Sequence, residues 1–107
     1  GVEVPNDREG CLQDSHWSGG SFGYFPSYAL GNAYSAQMLR RMEQAFDVFG
    51  QVAKGNLSGV TGWLREHVHQ YGQLLEPADV VRNACGTLDP QVYLDYLTRK
   101  YTELYAL

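Results

Sequence analysis

Three prolines, Pro26, Pro77 and Pro90, each stand at the head of a stretch whose apolar residues recur at intervals of three and four. Nothing else in the chain constrains its fold as much. Proline holds φ near the helical value and lacks the N–H that a first-turn position would leave unpaired, so each marks a helix start. After Pro26 the stripe Leu30, Tyr34, Gln37/Met38, Arg41/Met42, Ala45 predicts a helix to about Phe46. Asp47 is placed to cap a short helix ending near Gly55-Asn56. Ser58 is placed to cap another, with Val60, Trp63/Leu64, His67/Val68 and Tyr71 on its apolar face and Gly72 as its stop. Pro77 opens a brief helix carrying Val80, Val81 and Ala84, closed by Gly86. Asp89-Pro90 caps and opens the last, with Tyr93/Leu94, Leu97, Tyr101 and Leu104/Tyr105 on one face. The fold class is therefore mainly α: one unit over residues 1–107, with about four to five packed helices from residue 26 onward.

Residues 1–25 read differently. The arm Gly1–Glu9 contains Pro5 and an Asn6-Asp7 turn signal. From Gly10 to Trp17 an extended conformation is expected, because the glycine cluster that follows opposes a helix. Alternate side chains of an extended segment share a face, so Asp14 and His16 project together while Gln13, Ser15 and Trp17 point the other way. That pairing suits a carboxylate that orients an imidazole. The plainer alternative is that Asp14 caps a turn and His16 is a half-buried, satisfied histidine. Ser18–Gly23 lacks both the Lys-Ser/Thr ending of a P-loop and the GxGxxG spacing, so it reads as the backbone wall of a cleft. The first turn after Pro26 offers N–H groups and a dipole end to an anion, and Tyr28 lies in that turn, unless it is a core aromatic.

Composition narrows the functional classes. A formal charge of −4 without a basic stripe points away from nucleic acid. With 44% apolar residues and no run near the ~20 a bilayer demands, a water-soluble domain with no membrane partner is expected. Cys11 and Cys85 stand far apart without the partners of a structural zinc site, and no secretory segment precedes them, so they read as reduced cytoplasmic thiols. His67 and His69 cannot chelate together from a helix, since i and i+2 lie on nearly opposite sides. Eight Tyr, four Phe and two Trp are many large aromatics for so small a core, and point to a surface once covered by another domain.

The block Gly10-x-x-Gln13-Asp14-x-His16-Trp17, followed by Gly23-Tyr24-Phe25-Pro26-Ser27-Tyr28-x-Leu30-Gly31, resembles the two C-terminal signature blocks of the thermostable carboxypeptidase (carboxypeptidase Taq) family of zinc metallocarboxypeptidases. Similarity continues through Trp63–His69 and Tyr93–Tyr105. The resemblance implies the detached C-terminal segment of such an enzyme, with residues 1–25 lining one wall of its cleft. It implies that His16 and Tyr28 act as catalytic residues touching substrate or oxyanion, and that Gln13, Asp14 and Trp17 bind substrate. Ser27 stands where the family usually has Thr, which keeps the hydroxyl. It further implies peptide C-termini as substrates, zinc or another divalent metal as cofactor, the rest of the parent chain as partner, and a homodimer for the whole enzyme.

The family's HExxH zinc helix is absent from this sequence, as are its HPF, DxRxT and IRxxAD blocks. No metal ligand is therefore assigned here, and the segment alone is expected to be inactive. Two rivals stand beside this reading: a helical protein-interaction module without catalysis, and a small-anion binder using the helix N-terminus after Pro26.

Overall fold

The computed structural model describes residues 1–106. Its α-helices are α1 (Ser15–Ser18), α2 (Pro26–Ala45), α3 (Val48–Ala53), α4 (Ser58–His67), α5 (Pro77–Cys85) and α6 (Pro90–Tyr105). Short 3-10 turns span Asp7–Glu9, Cys11–Gln13 and His69–Tyr71, and no strand occurs among the described residues. The three prolines each occupy a first-turn position. Asp47 accepts from the Gly50 N–H and Asp89 from the Gln91 N–H, as N-caps do. Before α4 the cap lies earlier than the sequence indicates: Ser58 is the first helical residue, and Asn56 Oδ1 accepts from its N–H and hydroxyl.

The segment from Gly10 to Trp17 is not extended. Two 3-10 turns lead into Asp14, the one residue there with β-region dihedrals, and the chain then turns through α1. The reason is local: Asn6 and Asp14 both bond the backbone N–H groups ahead of them, which favours turns over an open strand. The glycines serve mainly to end this coil, since Gly20 and Gly23 have φ of +84° and +72°.

α2 is the spine, with α5 and α6 packed along it and α4 set against α3 and α5. The core is thin and made mainly of small side chains: Ala33, Ala36 and Met42 from α2, Val48 from α3, Val80, Ala84 and Cys85 from α5, Val92 from α6. The α4 face Val60, Trp63, Leu64, His67, Val68, Tyr71 is half-buried throughout, in line with its periodicity. The stripes of α2 and α6 read in the sequence are covered only in part. On α2, Gln37 and Met42 of the expected stripe are buried and Tyr34 and Met38 half-buried, with Ala33 and Ala36 buried beside them, but Leu30, Arg41 and Ala45 are exposed; on α6, Tyr93 and Leu97 are half-buried while Leu94, Tyr101, Leu104 and Tyr105 face solvent. No helix among the described residues is long and apolar enough to cross a membrane. Both cysteines are free thiols; Cys85 is buried, which pushes its pKa up, and Cys11 is exposed.

One buried polar residue holds the helices in register. Gln37 on α2 donates from Nε2 to the carbonyls of Cys85 (3.3 Å) and Thr87 (3.0 Å), and its Oε1 accepts from the Asp89 N–H at 2.8 Å. It thus satisfies the backbone of the α5–α6 connection, where Gly86 at φ +89° leaves three main-chain groups turned inward. Gln37→Leu keeps the volume and abandons all three partners. A loss of about 2–4 kcal/mol is expected in denaturant unfolding of the protein carrying this segment. An unchanged midpoint would mean that water replaces the glutamine.

Candidate functional site

The sequence-predicted residues Asp14, His16 and Tyr28 meet in space. Asp14 caps α1, its Oδ1 accepting from the His16 N–H at 2.7 Å, and this places the same carboxylate 3.0 and 3.1 Å from His16 Nδ1. Capping and orienting the imidazole, which look like alternatives in the sequence, are one arrangement. A carboxylate can only accept, so Nδ1 carries a proton. At the far edge of the ring, His16 Nε2 lies 3.1 Å from the Tyr28 hydroxyl, delivered by the first turn of α2. In the neutral ring Nε2 is the acceptor and the phenol donates to it.

Three aromatic rings hold the imidazole. Tyr24 stacks on it at 5.5 Å between centroids, Phe25 leans on it at 5.1 Å, and Tyr28 meets it edge-on at 6.0 Å. The Ser21 N–H closes back on the His16 carbonyl at 2.7 Å. Tyr24 and Phe25 are given no role in the sequence analysis; the signal for them is their adjacency to Pro26, which starts the helix and turns both toward His16. The His16 side chain remains 30% exposed, so the group is an open site with a wet face. The Asp14 carboxyl is held below its ordinary pKa, first by the His16 backbone N–H and then by the His16 ring, and it is ionised at neutral pH.

Gln13 and Trp17 do not join this cluster. Gln13 Nε2 donates to the Arg8 carbonyl at 2.6 Å, which ties it to the preceding turn. Trp17 leans on Phe22 at 5.9 Å and stays largely exposed. At the α2 N-terminus two of the first-turn N–H groups are already engaged: Ser27 and Tyr28 donate theirs to the carbonyls of Tyr24 and Phe25, each at 3.0 Å. A backbone anion site there would lack these two donors, which weakens the small-anion reading.

Among the described residues no group of three or more His, Cys, Asp or Glu could hold a metal ion. His67 and His69 serve other ends. The His67 ring stacks on Trp63 at 4.3 Å, with Nδ1 donating to the Trp63 carbonyl at 2.9 Å, while His69 lies exposed on the 3-10 turn beyond α4.

What the arrangement can do is hold a proton-bearing chain, carboxylate to imidazole to phenol, whose outer end faces solvent beside apolar rings. Tyr28 is 52% exposed and can touch a ligand directly.

The family model described as "Carboxypeptidase Taq (M32) metallopeptidase" matches residues 1–101. Carboxypeptidase 1 of Bacillus subtilis is 42% identical over 109 residues, spanning all of this chain and 22% of that protein. Thermostable carboxypeptidase 1 of Thermus thermophilus is 36% identical over 108 residues, covering 99% of the chain and 21% of its own length. Among solved structures, the crystal structure of BsuCP superposes with a TM-score of 0.84 at 41% identity, over 96% of this chain and 21% of that one. A crystal structure of a carboxypeptidase of the same family from Deinococcus radiodurans gives 0.83 at 37% identity, over 99% and 22%. The chain therefore spans about a fifth of the length of the relatives it matches.

Proposed function

The chain belongs to the carboxypeptidase Taq family of metallopeptidases, and from that premise we propose that it is the C-terminal part of a carboxypeptidase, forming one wall of the cleft that takes peptide C-termini. The observation that carries the proposal is the Asp14–His16–Tyr28 chain, built from both signature blocks and opening on the surface. Tyr28 and His16 contact the substrate or the developing oxyanion, and the exposed Trp17 covers the apolar part of the substrate. Asp14 acts from behind the ring. Gln13 serves the substrate indirectly by fixing the turn that presents Asp14, since its amide is spent on Arg8.

The metal, zinc or another divalent ion, and the ligands that hold it come from the remainder of the polypeptide, which is also this segment's structural partner. A cytoplasmic homodimer is the proposed state of the whole protein, and the segment alone has no activity. The test is amino-acid release from N-blocked dipeptides by the full-length protein and by a version lacking residues 1–107. The first should hydrolyse them and the second should not. A truncated protein that keeps full activity while bound metal is unchanged would remove this segment from the cleft.

A second reading, an interaction module without catalysis, draws support from the exposed rings of Phe22, Tyr101 and Tyr105. It requires a full-length protein that binds partners and leaves such dipeptides intact.

A further inference from the structure

We propose that Asp14 is a positioning residue which, through His16, decides whether the Tyr28 hydroxyl can donate to a bound carboxylate, so that carboxylate binding takes up one proton. The inference rests on the reading that this cleft receives peptide C-termini.

The argument follows the hydrogens. Asp14 accepts from Nδ1 and thereby fixes the neutral ring with its proton on that atom. Nε2 is then an acceptor, and the Tyr28 hydroxyl, 3.1 Å away, spends its one hydrogen on it. In this state the phenol turns lone pairs outward and repels a carboxylate. Protonation of the ring reverses the far half of the chain. Nε2–H donates to the phenol oxygen, the phenol hydrogen is released toward solvent, and an anion can accept it with an imidazolium behind. The titratable groups packed against the ring are the Asp14 carboxylate, the Tyr28 hydroxyl and the stacked ring of Tyr24, with Phe25 beside them. Of these, the Tyr28 hydroxyl is the one within hydrogen-bond distance of Nε2.

Asp14→Asn then has an unusual consequence. The His16 N–H, at 2.7 Å, keeps the amide oxygen on the Oδ1 side. The amide nitrogen takes the place of Oδ2, 3.1 Å from Nδ1, and donates to it. Nδ1 is then 3.0 Å from the amide oxygen and 3.1 Å from the amide nitrogen, and the N–H pointing at it favours the neutral tautomer with its proton on Nε2, which donates to Tyr28 without uptake from solvent.

The test titrates the full-length protein with 3-phenylpropionate, a carboxylate with no amide bond to cleave, against neutral 3-phenylpropionamide. Calorimetry in two buffers of different ionisation heat counts protons. For the native sequence, carboxylate affinity should fall as pH rises, by up to about tenfold per pH unit, with up to one proton taken up on binding. The amide should bind without pH dependence. At the alkaline end of the series Asp14→Asn should bind the carboxylate at least tenfold more tightly than the native protein, with proton uptake near zero. Tyr28→Phe should bind weakly at every pH.

A merely structural Asp14 would show as uniformly weaker binding in Asp14→Asn with the native proton count, and that result overturns the proposal. So does an active enzyme that binds the carboxylate with no proton uptake, or not at all. A full-length protein with no carboxypeptidase activity whatever would instead sink the reading beneath it.

Discussion

Replacing Tyr28 by Phe in the full-length protein is expected to lower kcat/KM for N-blocked dipeptides by about 10²–10³, the usual effect of deleting one preorganised donor to transition-state charge. The ring survives this change, so its packing against Tyr24 and Phe25 persists. His16→Ala removes the hydrogen bond that orients that donor and should cost about tenfold. Both residues sit on an open face, so thermal unfolding should move by no more than a degree or two for a protein of full length. The split between kcat and KM then separates roles. A fall confined to kcat places Tyr28 on the oxyanion; a rise confined to KM places it on the substrate's terminal carboxylate. Kinetics unchanged in both variants would strip both residues of their assignments.

The sequence made this cluster legible for a reason that only partly survives. Alternation along an extended strand brings Asp14 and His16 to one side, and the structure does bring them together, through a cap in which i and i+2 share one carboxylate. The residue pair was readable because Asp followed two positions later by His satisfies both geometries. The backbone was not, because short-range bonding by Asn6 and Asp14 competes with an extended chain at similar free energy. Helix starts were legible at Pro26, Pro77 and Asp89-Pro90, where a missing N–H or a capping oxygen acts on its own residue and the next few. The engagement of two N–H groups at the head of α2 was not, since it takes the carbonyls of Tyr24 and Phe25, one turn earlier, to consume them.

Periodicity failed differently on α6. Tyr93, Leu97, Tyr101 and Leu104 do share a face, yet burial falls from half-buried at Tyr93 and Leu97 to 64% exposed at Leu104. A repeat of three and four states which side chains point together. What covers them depends on chain elsewhere.

That missing cover leads to the second large effect, expected when residues 1–107 are produced alone. The chain exposes 8355 Å², against about 6,000 Å² for a compact monomer of this length. Its radius of gyration is 17.9 Å, where about 13 Å is usual. An excess of this order exceeds one partner's share of a standard interface and matches an obligate one. Among the described residues no side chain is completely enclosed and the eight buried apolar residues are mostly Ala and Val, so little apolar area offsets the chain entropy of some hundred ordered residues. The isolated segment should therefore bind a hydrophobic dye strongly, unfold with a broad, weakly cooperative transition, and self-associate as concentration rises. Adding the remainder of the polypeptide should quench the dye signal and sharpen unfolding, because the exposed faces of α2 and α6 and the aromatic loop before Pro26 gain a partner. A dye-silent monomer with a sharp transition would mean that these faces close on one another, and the proposed packing against the parent chain would have to be abandoned.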